Sequence, residues 1–112
     1  NGAAREDIML KANAIYARDI AKQYECAVFY MSQLGAEAEG KVNLNQSMME
    51  GSKTGKASEA DLMLLIAKNP LLGEDDTSED PMRHINITKN KLTGWHGKVT
   101  CMLDGRIARY GV

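Results

Sequence analysis

Asp61-Leu-Met-Leu-Leu-Ile-Ala67 contains one of two continuous apolar runs in the chain, and the fold class depends on how these runs are arranged. A short run without a polar residue at every second position is typical of a strand covered on both faces. The other run, Cys26-Ala-Val-Phe-Tyr-Met31, is rich in strand-forming residues and has the same character. We therefore predict two buried strands, running parallel, in the centre of a sheet.

The residues on either side of these runs complete an α/β pattern. Apolar side chains recur at helical spacing over residues 4–24, which predicts a long N-terminal helix. After the second run, a short alternating strand is predicted at residues 84–88, and two further strands at residues 98–103 and 106–110. Asp104-Gly105 lies between the last two strands and is a common two-residue hairpin turn, so the chain is predicted to end in an antiparallel hairpin.

Length and composition limit the classes of protein. The 112 residues are the size of one domain, and 14 basic against 15 acidic residues exclude a strongly basic nucleic-acid-binding protein. Cys26 and Cys101 lie far apart without metal-binding spacing, so we expect buried thiols, no metal site and a reducing, cytoplasmic location. Because no apolar run approaches the ~18 residues of a membrane span, no membrane partner is expected.

A long polar stretch, residues 32–57, separates the two apolar runs. Near its end stand two glycines, a serine and two lysines, namely Gly51, Ser52, Lys53, Gly55 and Lys56. Exposed amides between two cations can track a phosphate backbone without reading bases, although a merely solubilising loop has the same composition. The stretch is not a phosphate-binding loop, because only three residues separate Gly51 from Gly55 and Ala57 stands where serine or threonine is needed.

The predicted elements are incomplete for their class. Buried parallel strands need helices on both faces and neighbours on both edges, and the chain offers one long helix and two such strands. We therefore expect the sequence to be part of a larger α/β domain.

Five stretches carry short motifs in a fixed order. They are Ala17-Arg-Asp-Ile-Ala-Lys-Gln-Tyr-Glu25, Met31-Ser-Gln-Leu34, Glu50-Gly-Ser52 followed by Ala60-Asp61, Lys89-Asn-Lys-Leu-Thr-Gly94 with Gly97, and Asp104-Gly-Arg-Ile-Ala-Arg-Tyr110. Together, across nearly the whole chain, they resemble the second half of the ATPase domain of the DnaB-like replicative helicases, especially the ring helicases of phages.

The resemblance implies a partial RecA-like fold of the P-loop NTPase class, with residues 1–112 as the C-terminal part of a helicase ATPase domain. It implies an ATP-driven motor of DNA replication that forms a hexameric ring and moves along single-stranded DNA. ATP and Mg²⁺ are expected cofactors of the full-length parent. The chain alone is expected to bind neither stably and to be inactive, because it lacks the Walker A and Walker B parts.

The resemblance also implies roles for individual residues. Gln33 would sense the γ-phosphate, or alternatively cap a strand end. The loop that contains Lys53 and Lys56 would face the central channel and grip the DNA strand. Lys89 and Lys91 would enter the nucleotide site of the neighbouring subunit, where an arginine is usual at the position of Lys91. Otherwise both are surface lysines that discourage aggregation of an edge strand.

Two alternatives to the helicase remain open. The chain could be a stand-alone nucleic-acid-binding module without hydrolysis, or an α/β module that covers its open sheet edge by self-association. Trp95, between Gly94 and Gly97, could stack on a base or a partner, or pack within its turn. His84 and His96 have no ligand partners in the sequence, and we interpret them as strand or turn residues.

Overall fold

The computed structural model describes residues 2–48, 59–70 and 80–111. It is a mixed α/β structure in which the described residues form one α-helix, two short 3-10 helices and four strands. These are α1 (Gly2–Tyr24), the 3-10 helices Ala36–Ala38 and Gln46–Met48, and β1 (Leu62–Lys68), β2 (Met82–Asn90), β3 (Gly97–Asp104) and β4 (Arg109–Gly111). The predicted N-terminal helix is confirmed, and so are strands at the next three predicted positions after residue 60. The last strand begins three residues later than predicted, at Arg109.

The four strands form one sheet in the order β1-β2-β3-β4, and every neighbouring pair is antiparallel. The prediction of parallel strands is therefore wrong. An apolar run indicates burial but not direction, and β1 is buried on only one face, a condition that suits antiparallel pairing. Thr88 stands opposite no residue of β1, because Ile87 pairs with Leu64 and Lys89 pairs with Met63. This β-bulge lies next to the end of β2.

Residues 26–33 have no regular structure, so the predicted central strand at residues 26–31 is wrong. The side chains of Phe29 and Met31 are 92% and 93% exposed. A strand covered on both faces needs neighbouring strands and an apolar layer on each side, and the described residues do not form these around the run. Cys26 is also exposed, contrary to expectation, whereas Cys101 is buried.

The core lies between one face of β1 and a covering segment, which we define as residues 34–48. Alternate side chains of β1, namely Met63, Leu65 and Ala67, pack with Ala38 and Leu44 of the covering segment. Burial of one large aliphatic side chain stabilises a fold by about 1.5–3 kcal/mol, so this small cluster holds the covering segment on the sheet.

The C-terminal antiparallel hairpin is confirmed, but its turn is not the predicted two-residue one. Asp104 pairs with Arg109, so a four-residue loop joins β3 to β4. The Asp104 carboxylate accepts hydrogen bonds from the backbone and the guanidinium of Arg106, and Ala108 closes the loop with φ of 50°. These contacts favour the longer loop over a tight Asp-Gly turn.

The side chain of Asn86 links the covering segment to the sheet. Its Oδ1 accepts a hydrogen bond from the backbone N–H of Leu44 at 3.2 Å. Its Nδ2 donates to the carbonyl oxygens of Val42 at 3.1 Å and Leu65 at 3.5 Å. Asn86 is buried, so the polar atoms of its amide need partners within the protein, and these three bonds supply them.

Replacement of Asn86 by alanine is expected to lower the free energy of unfolding by about 1–3 kcal/mol, because it leaves backbone groups of the covering segment without partners. Urea denaturation measures the change. Asn13→Ala on the exposed surface of α1 is the matched control and should stay within about 0.5 kcal/mol of the wild type. Equal unfolding midpoints for both variants would contradict the linking role of Asn86.

Candidate functional site

The end of β2 and the start of β1 bring charged residues from three parts of the chain together. We call this group, Arg18, Glu59, Asp61, Lys89 and Lys91, the basic corner. Arg18 of α1 donates from Nη1 to the carboxylate of Asp61 at 3.2 Å and to the backbone oxygen of Glu59 at 3.0 Å. The backbone N–H of Lys91 donates to the backbone oxygen of Asp61 at 2.8 Å. The predicted pair of lysines therefore lies beside a fixed guanidinium.

The charges of the basic corner influence one another. The hydrogen bond from Arg18 holds the pKa of Asp61 below its usual range, and the charges of Arg18, Lys91 and Lys89 add to this effect. The pKa of Lys89 is lowered, first by burial of its ammonium group and then by repulsion from Lys91. With three cations and two carboxylates, the basic corner carries a net positive charge and suits an anionic ligand.

The turn that follows β2 fixes the backbone near Lys91. Asn90 Oδ1 accepts hydrogen bonds from the N–H groups of Leu92 and Thr93, at 3.0 and 3.1 Å. Asn90 Nδ2 donates to Thr93 Oγ1 at 2.7 Å and to the carbonyl oxygen of Trp95 at 3.2 Å. Gly94 has φ of 79°, a left-handed conformation that glycine adopts without strain. One asparagine thus orders the whole turn from Lys91 to Trp95.

The other predicted site residues do not join the basic corner. Gln33 is exposed in the irregular segment of residues 26–33, and not at the end of a buried strand. Its role as a phosphate sensor stays a prediction. Gly51, Ser52, Lys53, Gly55 and Lys56 lie outside the described residues.

A shallow groove of about 620 Å³ lies where the covering segment meets β2 and β3. Its polar lining includes Gln46, Thr88, His96 and Lys98. Gln46 Nε2 donates to the backbone oxygen of Thr88 at 2.7 Å, and Lys98 Nζ donates to Asn43 Oδ1 at 3.0 Å. Sequence reasoning missed this groove, because its walls come from segments that are about 40 residues apart in the chain.

A chain of polar side chains crosses the opposite end of the sheet. Asn69 Nδ2 donates a hydrogen bond to Asp80 Oδ2 at 2.8 Å. This bond turns the Oδ1 of Asn69 toward His84 Nε2, and the two atoms lie 2.8 Å apart. Because an amide oxygen only accepts, His84 Nε2 donates to Asn69 Oδ1, and His84 Nδ1 lies within hydrogen-bond distance of Thr100 Oγ1, at 3.3 Å. His84 is buried in β2, so its interpretation as a strand residue is confirmed.

Among the described residues, no group of three or more histidine, cysteine, aspartate or glutamate side chains could hold a metal ion. The described helices include none with the length and apolar character that crossing a membrane requires.

Comparison of the chain with known proteins found no matching family, no matching curated protein and no matching solved structure.

The pKa of Asp61 predicts how acid affects the docking of α1. The folded protein favours the ionised form of Asp61 over the protonated form. The contribution of Asp61 to stability is therefore present above pH ~4 and is lost as the pH falls through its depressed pKa. Asp61→Asn should produce the same loosening at neutral pH. Hydrogen exchange of the backbone amides in residues 14–24 should accelerate in this variant, whereas Asp19→Asn, exposed on the same helix, should leave it unchanged. Identical exchange in the Asp61 variant and the wild type would contradict the docking role.

Proposed function

We propose that this chain is part of an ATP-dependent DNA helicase of the DnaB-like kind, which forms a hexameric ring and translocates on single-stranded DNA. In this proposal the sheet belongs to a RecA-like motor domain, the loop with Lys53 and Lys56 grips DNA, and ATP with Mg²⁺ binds at a phosphate loop elsewhere in the ring. The support for a larger domain is apolar exposure: β1 is one of the two edge strands of the described sheet, and Leu64 and Ile66 are exposed on its outer face.

The observation that carries the proposal is the placement of Lys89 and Lys91 at one end of β2. Lys91 is exposed beside a turn that Asn90 orders, and Lys89 is half-buried next to it. Arg18 is engaged by Asp61 and Glu59. The exposed cation of the basic corner that can reach an outside group is therefore Lys91.

The charge balance of the basic corner suits phosphoryl transfer. Negative charge spreads over the oxygens of the transferred group in the transition state, and a cation from a neighbouring subunit stabilises it. Burial and Lys91 both disfavour the ammonium form of Lys89, so a phosphate that approaches would restore the stability of that form. Lysine lacks the planar fork of an arginine, and Lys91 would act as a point charge.

In the ring-forming protein that contains this chain, Lys91→Ala should reduce ATP turnover at least about tenfold and leave ATP binding nearly unchanged, because the contact strengthens in the transition state. Lys91→Arg should keep or raise turnover, because guanidinium adds bidentate contacts. Phosphate release and nucleotide binding measure the two quantities separately.

The control for Lys91 is Lys68→Ala, which removes an exposed lysine at the other end of β1. Turnover that stays unchanged in Lys91→Ala would return Lys91 to a surface role. A loss of DNA affinity without a loss of turnover at saturating DNA would assign Lys91 to the DNA channel instead.

Self-association is a second candidate function, and the outer face of the sheet favours it. The strand register places Leu64 opposite Ile87 and Ile66 opposite Ile85, and Ile85 pairs on its other side with Val99. Leu64 and Ile66 are 50% and 47% exposed. A contiguous apolar surface of this kind is typical of a buried interface.

For this second candidate, we expect the chain to sediment as a dimer or larger species that Ile66→Lys dissociates, because a charge in an apolar interface is costly. Leu92→Lys, which changes an exposed leucine outside the sheet, should not alter the sedimentation coefficient. A wild-type chain that sediments as a monomer at every concentration would exclude self-association through this face.

A further inference from the structure

We propose that the groove between the covering segment and β3, together with the indole of Trp95, binds an unpaired nucleobase and its phosphate in single-stranded DNA. The site uses no residue of the basic corner and none of residues 51–56. It rests on the proposed function only in the choice of DNA as the source of the base.

The first support is the position of Trp95. Its backbone N–H donates to Thr93 Oγ1 at 3.3 Å, and its carbonyl accepts from Asn90, so the turn holds the residue in place. The indole packs over Gly97, where an added Cβ would lie 2.5 Å from Trp95 Cζ2. The side chain is nevertheless 53% exposed. An indole held on one side and exposed to solvent is a stacking surface that requires little ordering on binding.

The second support is the lining of the groove, which begins at Gly97 beneath the indole. The side-chain amide of Gln46 and the ring of His96 line the groove and offer donors and acceptors to the edge of a base. Thr88 Oγ1 is buried and has no hydrogen-bond partner within the described part of the chain. Thr88 is also the residue at the bulge of β2. Thr88 lines the groove, so a rotation of its side chain would give this hydroxyl a partner on a bound ligand.

The third support is charge. No aspartate or glutamate lines the groove in the described structure, whereas Lys98 does. The partner of Lys98 Nζ is the neutral amide oxygen of Asn43, which orients the ammonium group without neutralising it. A groove with one oriented cation and no carboxylate attracts a phosphate.

The exposed indole decides between single-stranded and double-stranded nucleic acid. Bases in a duplex are stacked on each other and cannot offer a face to Trp95, whereas bases of a single strand can. A free nucleotide has the same base and phosphate chemistry as one residue of a strand, so the experiment must separate the two.

Fluorescence of Trp95 tests the proposal directly, because it is the one tryptophan in the chain. Titration with oligothymidylate at low salt should quench the emission in a saturable way, since stacking brings a base onto the indole. A duplex of equal length and an abasic phosphodiester oligomer should not quench it. Absence of quenching by oligothymidylate would overturn the proposal, and so would equal quenching by the duplex. Thymidine monophosphate that binds as tightly as the oligomer would overturn the assignment to a strand.

Variants separate the contributions of stacking and charge, with affinity measured by anisotropy of a labelled oligothymidylate. Gly97→Ala, which displaces the indole, and Trp95→Leu should each weaken binding roughly 5-fold to 100-fold, and Trp95→Phe should weaken it less. Lys98→Ala should reduce the slope of log affinity against log salt by about 0.7. Lys68→Ala, at the far end of β1, is the charge control and should change the affinity little.

Thermal unfolding followed by circular dichroism confirms that each variant is folded. If the other substitutions destabilise the turn, Trp95→Phe tests stacking in their place, because it keeps an aromatic ring at this position. Unchanged affinity in folded Trp95→Leu would overturn the proposal. The failure of this site and the failure of the proposed helicase are distinguishable. A groove that does not bind DNA leaves the effect of Lys91→Ala on turnover intact, and unchanged turnover in that variant leaves the fluorescence result intact.

Discussion

The hydrogen bonds of Asn86 are the constraint on which the packing of the covering segment against the sheet depends. One buried amide in the middle of β2 engages backbone groups of both the covering segment and β1. An irregular segment has backbone donors and acceptors that must find partners when it packs on a sheet. Asn86 supplies them at the point where Leu44 enters the core. Leu44 and Asn86, which this contact joins, both line the groove.

A consequence of this arrangement is that the two faces of the sheet differ. The covering segment buries Met63, Leu65 and Ala67, while Leu64 and Ile66 on the same strand are exposed. The run in β1 is apolar at every position, although only half of these positions are buried in the described structure. Exposure of these apolar side chains to water is unfavourable in free energy unless another surface covers them. The helicase proposal assigns that surface to the rest of the motor domain, and the self-association proposal assigns it to a second copy of the chain.

The parts of the fold that local rules determine could be predicted from the sequence. The helical spacing of α1 and the positions of β1, β2 and β3 depend on neighbouring residues, and periodicity reports them. The strand at residues 26–31 and the parallel direction were wrong, because both depend on surrounding layers that a short apolar run does not specify. The placement of Lys89 and Lys91 at a strand end was predictable from their spacing. The docking of Arg18 on Asp61 was not, since the two residues are distant in sequence.

The two basic sites differ in how their charge is compensated, and this difference suggests different uses. In the basic corner, Asp61 and Glu59 bind Arg18, so the carboxylates partly compensate the positive charge. The electrostatic stabilisation of an incoming phosphate is then largest when the negative charge on the phosphate increases. In the groove, Lys98 has an amide partner, and the attraction for a phosphate is present before any chemical step. The first arrangement suits a transient contact that stabilises a transition state, and the second suits continuous attachment to a strand. The proposed motor on DNA would need both, because turnover must be controlled at one site while the strand remains bound at another.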